Sequence, residues 1–151
     1  SLGSVKYAIY DLFIHVVDTA LFLLDEPITQ THFSIKEENG ELKTCVLHLT
    51  TEHSECIATM NYISGANFES VEVQSPTGTH RVVNLTDYEI ETAEYKQIVP
   101  FGDWDQTLEK RGFAPLIRAT IAGIENQVNP VSMESSLESH RICELIVEGY
   151  E

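Results

Sequence analysis

Tyr10-Asp11-Leu12-Phe13-Ile14-His15-Val16-Val17-Asp18-Thr19-Ala20-Leu21-Phe22-Leu23-Leu24 is the stretch whose reading decides the fold. Each helical residue advances about 100°, so Asp11, His15 and Asp18 fall within roughly 60° of one another. Leu12, Val16, Val17, Leu21, Leu23 and Leu24 take up most of the remaining circumference. A helix apolar nearly all the way round is expected to be buried. Two carboxylates and an imidazole on such a helix cost free energy unless they are paired or face a cavity. The polar stripe is therefore a candidate site.

The 151 residues around this helix are enough to bury a core and read as one domain. Counted from Leu12 to Leu24, the apolar run falls short of the roughly 18 uncharged residues a bilayer span needs, so no membrane partner is expected. Nine basic against 24 acidic residues give a formal charge of -15. Such a surface repels phosphate backbones, which argues against nucleic acid as a partner. Cys45, Cys56 and Cys143 are odd in number and form no close pair. They read as reduced thiols of a cytoplasmic protein rather than as a disulfide framework or zinc site.

Downstream, Asp25-Glu26-Pro27 ends the helix and strand character takes over. Ile28–Lys36 and Leu42–Thr50 flank the turn signal Glu38-Asn39-Gly40 and read as a β-hairpin. In the second arm Cys45, Leu47 and Leu49 share one face. Further strands are expected over Cys56–Ile63, Phe68–Gln74, Thr79–Leu85 and Tyr88–Val99. Helix returns over Phe113–Gln127, is stopped by Asn129-Pro130, and restarts with Ser132 as N-cap and Glu134 in the first turn. Met133, Leu137, Ile142, Ile146 and Val147 are its expected buried side. The order predicts an α+β domain: an open, mostly antiparallel sheet of about six strands with helices on one face.

Two segments carry a family resemblance. Asp11-x-x-x-His15-x-x-Asp18, followed by Leu23-Leu24-Asp25-Glu26-Pro27, resembles the D-x-G-x-H-x-x-D-x-x-x-x-L-x-G signature of the Gfo/Idh/MocA (glucose–fructose oxidoreductase and inositol dehydrogenase) family. Asn129-Pro130-Val131-Ser132-Met133-Glu134 is similar to that family's P-V-S-x-E-D helix start. Phe13 stands where the family usually has glycine, a departure expected to narrow the pocket or to alter how a substrate approaches His15. The family's G-x-G-x-x-G Rossmann turn and E-K-P motif are absent from these 151 residues. The resemblance thus implies the C-terminal substrate and oligomerisation domain of a longer NAD- or NADP-dependent oxidoreductase. The fragment itself is expected to bind no cofactor and to be inactive alone. Its implied ligand is a sugar, polyol or related hydroxyl compound, and its implied assembly is a homo-oligomer through the sheet face, where Tyr62, Phe68, Val71 and Val73 suggest apolar character.

The resemblance makes His15 a proton acceptor and Asp11 the carboxylate that orients it. Set against this, Asp11 serves as a helix cap and His15 as a satisfied core histidine. Asp18 either binds substrate hydroxyls or anchors the helix to a neighbour. Trp104, on a loop, is a candidate sugar contact or a plug over the core. A metal on Asp11, His15 and Asp18 would need a distant fourth ligand, and no metal is expected. The rival to an enzyme domain is a non-catalytic binding or scaffold module that uses its open sheet for protein interaction.

Overall fold

The computed structural model describes residues 4–100 and 107–150. They form two compact units, Ser1–Ser64 with Val131–Glu151, and Gly65–Pro130. The α+β class and the antiparallel pairing follow the sequence reading. Among the described residues, however, the strands number seven and divide between a three-stranded and a four-stranded sheet.

In the first unit a helix runs through three segments, α1 (Val5–Ala8), a π turn (Ile9–Phe13) and α2 (Ile14–Leu24). It begins before Tyr10 because the Ser4 side chain caps it, accepting from the Tyr7 N–H at 3.3 Å. It ends where Asp25 turns left-handed (φ 48°), two residues ahead of Pro27. The 20 residues Val5–Leu24 are by length and composition sufficient to cross a bilayer. Counting the apolar run from Leu12 overlooks this, since the helix opens seven residues earlier.

Strands β1 (Gln30–Glu38), β2 (Glu41–Thr50) and β3 (Glu55–Asn61) form an antiparallel meander in the order β1-β2-β3. Asn39 and Gly40, at φ 56° and 78°, make the two-residue β1–β2 turn, the left-handed pair that matches strand twist. Cys45, Leu47 and Leu49 are fully buried, as the alternation requires. They meet Ile9, Phe13 and Val17 from the helix and Ile142, Cys143, Ile146 and Val147 from α5 (Met133–Tyr150). Burying each larger aliphatic or aromatic side chain contributes about 1.5–3 kcal/mol before entropy is counted. The other side of the helix is not buried: Leu12, Phe22 and Leu23 are exposed, so the expectation of all-round burial fails. One layer, with the sheet and α5 on the same side, covers only half the circumference.

The second unit holds β4 (Ser70–Ser75), β5 (Gly78–Val83), β6 (Asp87–Glu91) and β7 (Lys96–Val99), paired in sequence order. The single strand expected over Tyr88–Val99 is cut in two because the Thr92 hydroxyl accepts from the N–H groups of Glu94 and Tyr95, closing a tight turn. Two helices follow, α3 (Thr107–Lys110) and α4 (Phe113–Asn126). The apolar spacing of α4 is real, yet none of its residues is buried; Phe113, Leu116, Ile117, Ile121 and Ile124 are all at least half exposed. The residues expected to form one apolar sheet face do not share one. Val71 and Val73 lie on β4, while Tyr62 and Phe68 lie outside the strands and in different units.

Candidate functional site

The site helix is anchored on one side and open on the other. Ile9, Phe13 and Val17 point into the core at 0% exposure, while Asp11, His15 and Asp18 are exposed. Phe13 therefore lies on the core side, and the expectation that it narrows the pocket or alters the approach to His15 is corrected. Its ring fills the space between helix, sheet and α5.

Asp11 sits in the π turn, where the Ile14 N–H reaches back to the Ile9 carbonyl, five residues earlier instead of four. One extra residue in that turn changes the rotation of everything before it relative to everything after it. The consequence shows at the predicted pair. Among the described residues no hydrogen bond joins the Asp11 carboxylate to the His15 ring. The Asp11 carboxylate, with burial and Tyr62 adding to the effect, raises the Tyr7 phenol above its ordinary 10.0. His15 occupies the first turn of α2, and its carbonyl accepts from the Thr19 hydroxyl at 2.9 Å.

Asp18 has a defined partner: the Ser139 hydroxyl donates to its Oδ1 at 2.8 Å, and Ser139 is 2% exposed. This contact ties the site helix to α5. Trp104 lies outside the described residues. Among the described residues no group of three His, Cys, Asp or Glu side chains is arranged to hold a metal ion.

Below the site, Glu26 closes the exit of the helix onto the β2–β3 turn. Its carboxylate accepts from the Thr51 hydroxyl at 2.5 Å and from the His53 N–H at 3.3 Å, with His53 Nδ1 at 3.0 Å. The Thr51 hydrogen bond, which outweighs the opposing burial, and the His53 contacts hold the Glu26 carboxyl below its ordinary 4.5.

Two residues that sequence reasoning passed over enter here, Tyr7 and Ser139, together with Cys143, which it read only as a reduced thiol. The buried side of α5 is Ser139, Ile142, Cys143, Ile146 and Val147, whereas Met133 and Leu137 are exposed, contrary to the expected stripe. Ser139 and Cys143 lie four residues apart in line with Ile142 and Ile146, a signal present in the helical spacing.

The sequence of residues 1–93 matches the family model of the YceM-like C-terminal domain. The chain is 27% identical over 145 residues to "Putative oxidoreductase YceM" of Salmonella typhimurium, covering 95% of this chain and 47% of that protein. It superposes with a TM-score of 0.87 and 28% identity on a dehydrogenase (MviM) from Clostridium difficile, over 97% of this chain and 49% of the other. A Gfo/Idh/MocA family oxidoreductase from Vibrio cholerae shares the fold at a TM-score of 0.85 and 21% identity, over 98% of this chain and 49% of that one. The chain spans about half the length of these relatives. With the signature residues carried on the first helix and the family match running through the first sheet and β4–β6 of the second, this chain belongs to the YceM-like C-terminal domain family and has the fold of that part of the Gfo/Idh/MocA oxidoreductases.

Proposed function

We propose that this chain is the substrate-facing and oligomerising part of an NAD(P)-dependent oxidoreductase that acts on a sugar, polyol or related hydroxyl compound. The observation that carries the reading is the placement of His15. Its side chain is exposed on a helix whose opposite side, Ile9, Phe13 and Val17, is locked in the core, at the position where the related signature has its histidine.

In this reading a ring nitrogen of His15 accepts the proton of the substrate hydroxyl. Asp11, four residues earlier on the same helix, is the carboxylate that orients the imidazole. Asp18 fixes the helix. A nicotinamide, when bound, would supply the hydride acceptor, but the residues here do not fit one. A pyrophosphate needs a glycine-rich turn between a strand and a helix N-terminus. Among the described residues only Gly112 precedes a helix, and it follows another helix rather than a strand. No step is derived through the cofactor, whose site is assigned to the remainder of a longer protein. Association through the sheets, with Val46 and Ile57 on the exposed face of the first and Val71 and Val73 on one face of the second, belongs to the same proposal. So does a cytoplasmic location, in keeping with three free thiols.

The test is kinetic and uses the full-length parent with a panel of sugars and polyols. His15→Ala is expected to lower turnover by about 10²–10⁴-fold with the fold retained. Near-normal turnover would overturn the assignment. It would favour the binding-module reading, which draws on one observation: among the described residues no hydrogen bond joins the Asp11 carboxylate to the His15 ring.

A further inference from the structure

We propose that Ser139 and Cys143 of α5 are positioning residues that clamp the site helix on either side of His15, with Cys143 holding the π turn in register. The proposal rests on the reading of His15 as the site.

The two side chains lie one helical turn apart on α5 and reach two points of the first helix that bracket His15. At one point the Ser139 hydroxyl lies 2.8 Å from Asp18 Oδ1 and 3.3 Å from the Ser135 carbonyl of its own helix. The shorter, charge-assisted bond takes the proton. At the other point Cys143 Sγ lies 3.8 Å from the Ile9 carbonyl oxygen. Both donors are buried, Ser139 at 2% and Cys143 at 0% exposure, while the Asp18 acceptor is exposed.

The Ile9 carbonyl is the acceptor that defines the π turn, since it takes the Ile14 N–H from five residues ahead. A carbonyl has two lone pairs and can accept the thiol and the amide together. The π turn is rare and less favourable than continuous α-helix, so it persists where surrounding contacts over-determine it. Here those contacts are the thiol on Ile9 and the burial of Ile9, Phe13 and Val17 against α5 and the sheet. Burial pushes the Cys143 thiol up to about 11, which keeps it a donor at neutral pH. Released from this hold, the turn would revert to α register, with Ile14 bonding Tyr10, and Asp11 would rotate relative to His15.

The experiment is NMR on the isotopically labelled 151-residue chain, reading the through-hydrogen-bond coupling of the Ile14 amide and the His15 ring resonances. Cys143→Ala is expected to abolish the Ile14–Ile9 coupling, create an Ile14–Tyr10 coupling and shift the His15 ring signals. Cys143→Ser, which keeps a donor, retains the parental pattern. Ser139→Ala is expected to shift the His15 ring signals while the Ile14–Ile9 coupling stays. If Cys143→Ala does not fold, Cys143→Val, which fills the space without a donor, replaces it. An unchanged coupling in the donor-free Cys143 variant, or unchanged His15 signals in Ser139→Ala, overturns the clamp. Neither readout involves turnover, so failure here is distinguishable from failure of the His15 assignment, which the kinetics of His15→Ala decide.

Discussion

Replacing Phe13 with glycine, the residue that the related signature carries there, is expected to unfold the first unit rather than open its site. The Phe13 side chain is 0% exposed and sits among Ile9, Val17 and the buried side chains of β2 and α5. Truncating a fully buried phenylalanine to alanine costs about 3–5 kcal/mol through lost transfer energy and the cavity left behind. Glycine inside a helix adds about 1 kcal/mol more. The total of about 4–6 kcal/mol approaches the whole stability of many domains, roughly 5–15 kcal/mol. At about 4–8 °C per kcal/mol for a small domain, the melting temperature should fall by at least about 15 °C. Urea unfolding followed by far-UV circular dichroism measures this, with Phe13→Leu and Leu12→Ala alongside. Phe13→Leu should lose only about 1–1.5 kcal/mol because it keeps most of the volume. Leu12, 37% exposed, should lose less than about 1 kcal/mol on truncation. The reasoning is refuted if Phe13→Gly costs no more than Leu12→Ala, since the ring would then lie outside the core.

Glu26 has a folded pKa below its ordinary 4.5, chiefly because the Thr51 hydroxyl bonds its charged form. Its contribution to stability is full above the unfolded value and is lost as pH falls through the lower folded one. Melting curves taken below about pH 4.5 should show Glu26→Gln losing less stability with acid than the parent, and parallel slopes would contradict this. Burial pushes the Cys45 thiol up to about 12, with the neighbouring Cys143 adding to the shift, and the Cys143 thiol up to about 11. Both should resist a thiol reagent at pH 8 until urea is added, and rapid labelling of Cys143 in the folded chain would be incompatible with its placement. Hydrogen exchange should divide the chain, because none of the described residues of Gly65–Pro130 is buried whereas β2 supplies much of the core. Amides of Leu47 and Leu49 are expected to outlast those of β4–β7 by orders of magnitude, and equal protection would count against a second unit without a core.

The parts legible in advance were those whose cause is local. Asn39-Gly40 supplies the left-handed pair a two-residue hairpin turn requires, so the β1–β2 pairing follows from two residues. Ser132 caps α5 as expected, with the Ser135 N–H 3.2 Å from its hydroxyl oxygen. The placement of Ser139 and Cys143 was not legible, because a serine and a cysteine within a helical stripe carry no mark of what lies opposite them. The π turn was also hidden, since the i, i+4 spacing of Asp11 and His15 assumes an unbroken α-helix.

By itself the sequence determined the α+β class, the hairpin, the end of the first helix, the cap of α5 and the residues of the signature, because caps, turns and alternation act over a few neighbours. Only the tertiary structure decided which side of the first helix is buried, and with it that Phe13 belongs to the core while His15 faces outward. It also decided the division of seven strands between two sheets and the pairing of Asp18 with Ser139, 121 residues apart. Those outcomes depend on which surfaces meet after the chain has folded back on itself. A helix apolar on nearly every side offers several faces for burial, and the elements that pack against it make the choice.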